Sequence, residues 1–129
     1  MNISDETFNA MLVRAMNELP KRYIKNLNNV AITYADEPTP QQLYKQGVRE
    51  HELLLGLYEG IPLTQRGAGY NLVLPDKITI FKNSILKLSQ NEDDFYGRVK
   101  HTLWHEIAHH YGLDHDRIDE IEQKKSSLL

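Results

Sequence analysis

His105 and His109 stand four residues apart, Gly112 follows three residues later and His115 three after that, a spacing that demands a helix ended by a sharp turn. Residues four apart on an α-helix lie about 40° apart around its axis, so both imidazoles project from one face and can share a metal ion. Gly112 is the residue type that leaves a helix through the left-handed conformation, which lets the chain turn and return His115 as a third ligand. Three protein ligands leave one position of tetrahedral zinc open for water, whereas structural zinc is closed by four. His105, His109 and His115 are therefore the candidate zinc ligands. Glu106, directly after the first of them, is the candidate general base.

The upstream pattern supports the helix. Asn91 followed by Glu92, Asp93 and Asp94 reads as an N-cap and an acidic first turn suited to the positive end of the helix dipole. From there Tyr96, Val99, Leu103, Ile107 and Tyr111 recur at spacings of three and four, an apolar stripe that predicts a helix to about Tyr111. Stepping about 100° per residue places His105 and His109 roughly opposite that stripe, facing a cleft, with Arg98 and Thr102 behind them.

Other polar residues near the motif have plainer explanations. His101, one turn before His105, is a competing ligand or a neighbour of one, but His115 satisfies the site without it. His110 points toward the apolar stripe, as a hydrogen-bonded core or rim histidine would. His51 lies among Arg49, Glu50 and Glu52 in a solvated segment. Asp116 reads as the cap of a final helix carrying Arg117, Ile118 and Ile121, and Asp114 as a turn residue or a hydrogen-bond acceptor for a ligand imidazole.

The remaining chain is one module, residues 1–129, without repeats, low-complexity tracts or an evident linker. Ser4, Asp5 and Glu6 start a helix whose apolar face of Phe8, Met11, Leu12, Ala15, Met16 and Leu19 ends at Pro20. Val30 to Tyr34 reads as a strand, Asp36 to Pro40 as a loop, Gln41 to Gln46 as a short helix ended by Gly47, and Leu53 to Tyr58 as a second strand. Gly60-Ile61-Pro62 and Gly67-Ala68-Gly69 mark turns around an irregular segment. Lys77 to Phe81, β-branched and flanked by lysines, reads as a sheet edge, either blunted by those lysines or open to strand addition by an extended peptide. Ile85, Leu86 and Leu88 then form a short amphipathic helix.

Composition narrows the partners. There is no cysteine, so disulfides and thiolate ligands are absent and zinc must take nitrogen and oxygen donors. A net charge of -3 supplies no broad basic surface for nucleic acid. No apolar run is long enough to span a membrane and the first residues are acidic rather than basic, so neither a membrane partner nor a signal peptide is expected, and cytoplasmic residence is favoured.

HExxHxxGxxH is the extended signature of the zincin metallopeptidases. The chain resembles a small bacterial family of minimal zincin-like metallopeptidases through Leu54-Leu55-Gly56-Leu57-Tyr58-Glu59-Gly60-Ile61-Pro62-Leu63 and through His105 to Ile118. The resemblance implies an α+β fold with a small mixed sheet, an edge strand over the cleft and the HExxH helix beneath it. It also implies that His105, His109 and His115 bind zinc, Glu106 activates water, and a peptide or protein is the substrate. Members often carry aspartate at the position of His115. Metzincins place a methionine turn after the third histidine, whereas Met1, Met11 and Met16 are all N-terminal here. Tyr58, Tyr70 and Tyr111 are candidates for stabilising an oxyanion, each also explained by packing.

Two other functions fit parts of the pattern. Bacterial ribonucleases of rRNA maturation carry three histidines at this spacing, with a glycine and an aspartate before the last, but lack a glutamate after the first. A zinc-binding regulatory module with little turnover fits the small size.

Overall fold

The computed structural model describes residues 1–67 and 75–127, leaving aside the side chains of His115 and residues 123–127. The first helix, α1 (Asp5–Glu18), begins where expected: the Ser4 hydroxyl accepts the Thr7 N–H at 3.1 Å, and Asp5 and Glu6 occupy the acidic first turn. Its buried face is Phe8, Met11, Leu12 and Ala15. After Pro20 the chain makes a further single-turn helix that the periodicity did not reveal, α2 (Lys21–Lys25), before strand β1 (Val30–Ala35).

Helix α3 (Pro40–Lys45) is held by a reciprocal cap in which Thr39 and Gln42 each bond the other's backbone N–H, at 3.1 and 2.9 Å. Gly47, at φ +65°, ends it. Strand β2 (Gly56–Glu59) starts three residues later than the apolar run that announced it. A short 3₁₀ turn (Leu63–Gln65) follows, and the turn read around Gly67-Ala68-Gly69 falls, beyond Gly67, outside the described residues.

Strand β3 (Asp76–Phe81) corrects an expectation. It lies in the middle of the sheet, order β1-β3-β2, parallel to β1 and antiparallel to β2. Burial on both faces explains its run of Ile78-Thr79-Ile80-Phe81, all buried. The flanking lysines do not blunt an edge: Lys82 is buried with its ammonium 3.1 Å from Asp5 Oδ1, and Lys77 faces solvent. Among the described residues the edge strand beside the metal helix is β2, whose Gly56 and Tyr58 stand opposite Ile80 and Ile78.

Helices α4 (Lys82–Leu88) and α5 (Glu92–His110) follow, the second started by Asn91, whose side chain accepts the Asp94 N–H at 2.8 Å. The predicted stripe is the core stripe: Val99, Leu103 and Ile107 are fully buried against Ile78, Ile80 and the α1 face, with Phe95 packed on Phe8. Trp104 carries this packing to the last helix, α6 (His115–Ser127), its indole N–H donating to the Ile118 carbonyl at 3.3 Å. Asp114, not Asp116, caps α6, accepting the Arg117 N–H at 2.8 Å. The helix begins one residue after Asp114, which puts Asp116 inside its first turn. Among the described residues no helix is long and apolar enough to cross a membrane.

Candidate metal centre

Helix α5 brings His105, Glu106 and His109 together: one ligand-type atom from each lies within 4.8 Å of the others. The two imidazole rings meet edge to face, 4.4 Å between centroids, as the four-residue spacing requires. The Glu106 carboxylate sits between them, Oε2 3.4 Å from His105 Nδ1 and Oε1 3.3 Å from His109 Nδ1. The imidazoles are partly open to solvent while Glu106 is only 7% exposed.

Room for Glu106 comes from the edge strand. A Cβ on Gly56 would lie 3.3 Å from Glu106 Cγ and 2.6 Å from Thr102 Cγ2, so only glycine lets β2 approach α5 this closely. Burial alone would push the Glu106 carboxyl up; hydrogen bonds from His105 and His109, with their charge, outweigh it and hold the group at about 2. The Glu106 contact also raises His109 above the ordinary imidazole value, against the opposing effect of burial.

Because an ionised carboxylate only accepts, the Nδ1 atoms carry hydrogen toward Glu106, and in a neutral ring the lone pair is then on Nε2. Two imidazoles on one helix face, meeting Glu106 through Nδ1 and not through Nε2, are nitrogen donors of the kind zinc takes, so these residues fit the ion.

The turn after α5 has the predicted form. Gly112 adopts φ +74°, its N–H bonds the His109 carbonyl at 2.9 Å, and the Leu113 N–H bonds that of Ala108 at 3.1 Å, the two bonds of a Schellman motif. Thr64 closes over it, its side chain filling the space a Cβ on Gly112 would take. The chain thus reverses into α6, whose first residue is His115; the expectation that its side chain is the third ligand lies outside the described residues.

Residues 27–125 match the profile of the zincin-like metallopeptidases. The chain belongs to this family. No curated protein matches the chain. A solved structure with the same fold is a conserved hypothetical protein from Thermo thermophilus, 24% identical, with a TM-score of 0.55 over 83% of this chain and 92% of that one.

The neighbouring histidines divide as their positions predicted. His101 stands outside the cluster, its Nδ1 2.8 Å from Glu122 Oε1 on α6. His51 is exposed. His110, 2% exposed, donates from Nδ1 to Asp76 Oδ2 at 2.9 Å. The same oxygen accepts the Tyr58 hydroxyl and Arg66 Nη2, each at 2.6 Å.

That buried network was not legible in the sequence, where its members are separated by up to 52 residues between Tyr58 and His110. Its one signal was a histidine on an apolar stripe, which needs a polar partner. Two oxyanion candidates are otherwise committed: Tyr58 to Asp76, and Tyr111 to the Tyr23 carbonyl at 2.5 Å. Tyr70 lies outside the described residues.

Proposed function

We propose that this protein is a zinc-dependent peptidase in which Glu106 is the general base and His105, His109 and His115 hold the ion. The observation that carries the reading is a buried carboxylate kept ionised at the point where two imidazoles converge, the form a base needs before it takes a proton. Zinc held there would supply a Lewis acid able to polarise a carbonyl and to lower the pKa of water toward about 7.

Glu106 accepts the proton of the attacking water and delivers it to the departing amine, so one carboxylate serves as base and then as acid. Its position between the two histidines fixes both oxygens for that exchange. The edge strand argues for a peptide substrate. On its side away from β3, β2 offers backbone groups to which an extended chain can add as a further strand, beside Glu106. Strand addition thus belongs to Gly56–Glu59 rather than to Lys77–Phe81.

Incubation of the zinc-loaded protein with a peptide library and, separately, with structured RNA tests this. Cleavage of peptides with intact RNA is expected; RNA cleavage with intact peptides would assign the site to phosphodiester chemistry. Stoichiometric zinc with turnover of neither would leave a binding module.

A further inference from the structure

The row of residues that carries His105 and His109 on α5 continues upstream. Asp93, Gly97 and His101 precede His105 and His109 at the same four-residue interval, a slanted stripe that winds about 40° around the helix at each step, so His101 lies nearest the metal-binding face and Asp93 about 120° around the axis from His105. The upstream part of that stripe floors a groove of about 440 Å³, walled by Leu55 just before β2 and by Arg98 and Thr102. Two of its lining residues neighbour the metal centre: the methyl group of Thr102 and the Glu106 stem converge on Gly56, and the His101 and His105 rings are 6.4 Å apart.

Gly97 is the unusual residue in this floor. Glycine inside a helix is unfavourable relative to alanine, and it is tolerated where backbone conformation or close packing requires it. Neither holds at Gly97, which is helical and whose added Cβ would meet nothing within 4 Å. What its missing side chain provides is depth.

The charge of the groove is acidic. Asp94 is paired with Arg98 Nε at 3.2 Å and His101 with Glu122 at 2.8 Å, while Asp93 is exposed and has no ion pair among the described residues.

We propose that this groove receives a lysine or arginine side chain of the peptide substrate, its aliphatic stem over Gly97 against Leu55 and its charge at Asp93. This rests on the peptidase reading above. Gly97 sets the depth of the subsite and Asp93 its charge preference. The eight residues from Gly97 to His105 span about 12 Å of helix, which an extended chain covers in three to four residues, so the basic residue sits that far from the scissile bond.

The test uses short alanine-based peptides carrying one lysine, glutamate or leucine at each position in turn. Cleavage by the zinc-loaded protein is measured alongside binding, by fluorescence anisotropy, to the Glu106→Gln protein. Lysine at one fixed position is expected to be preferred. Gly97→Leu should lower cleavage and binding of that peptide by about tenfold or more while peptides with alanine there stay within about twofold, and Asp93→Asn should remove the preference for lysine.

Gly97→Leu introduces a better helix former, so its zinc content and thermal midpoint should be maintained or raised, which separates a filled groove from a damaged fold. Cleavage with a profile unchanged by Gly97→Leu and Asp93→Asn overturns the groove assignment and leaves the peptidase reading. Binding that depends on Gly97 and Asp93 without any cleavage supports the groove and overturns the peptidase. Neither cleavage nor binding overturns both.

Discussion

His110 Nδ1 lies 2.9 Å from Asp76 Oδ2 with both side chains almost wholly buried, tying the last turn of the metal helix to the first residue of the central strand. Arg66, whose Nε also donates to the Ile61 carbonyl at 2.8 Å, and Tyr58 complete the cluster, so the loop after β2 is fastened beside the end of α5. Burial, with the Asp76 hydrogen bond and charge, pushes the Tyr58 phenol above its usual range, so it stays a donor at any physiological pH.

Removing the shared acceptor is costly because it takes the partner from three donors, His110 buried and Tyr58 and Arg66 half-buried. Asp76→Ala should lower stability by about 3–5 kcal/mol, and Tyr58→Phe by about 1 kcal/mol, in urea denaturation of the metal-free protein. A loss below about 1 kcal/mol for Asp76→Ala would show that the network contributes no net stability.

Gly56 should be intolerant of even one carbon. Gly56→Ala places a methyl 2.6 Å from Thr102 Cγ2 and must push β2 away from α5. The expected loss is about 1–3 kcal/mol. Adding Thr102→Ser, which deletes that carbon, should recover part of it. Equal stability of the single and double variants would place the strain elsewhere.

How much of this was readable beforehand depended on whether the signal was local. Asn91, the acidic turn and the apolar stripe are neighbours in sequence, and α5 and the orientation of its histidines followed from them. The order of the sheet is a long-range property, and lysines beside an apolar run look the same on an edge strand and on a central one. Asp114 and Asp116 are both cap-forming types two residues apart, so composition could not choose between them. Gly56 belongs to a family-like stretch of sequence, but the need for glycine there arises from Thr102 and Glu106, which no local pattern connects to it.

One buried group in the sheet invites improvement. Thr79 Oγ1 has no hydrogen-bond partner among the described residues although the side chain is 4% exposed. Thr79→Val keeps the β-branched shape and removes the unpaired hydroxyl, and should raise stability by about 1 kcal/mol in the same denaturation assay. Destabilisation instead would reveal a partner for the hydroxyl.

Protons and metal compete for the same imidazoles. The raised pKa of His109 means that in metal-free protein its contribution to stability is fully present below about pH 6.5 and fades as pH rises through its folded value. Glu106 has the opposite sign: its contribution is present above the ordinary carboxylate value and is lost as pH falls toward about 2. Zinc binding near neutral pH should therefore release protons and weaken as pH falls, which calorimetry in buffers of different ionisation enthalpy would detect. Binding without proton release would place the ion away from His109.

The central claim rests on Glu106, and the most direct measurement is peptide turnover by zinc-loaded wild type and Glu106→Gln protein at matched zinc content. The account predicts that Glu106→Gln retains stoichiometric zinc and loses at least about a hundredfold in kcat. Equal turnover by the two proteins would contradict it.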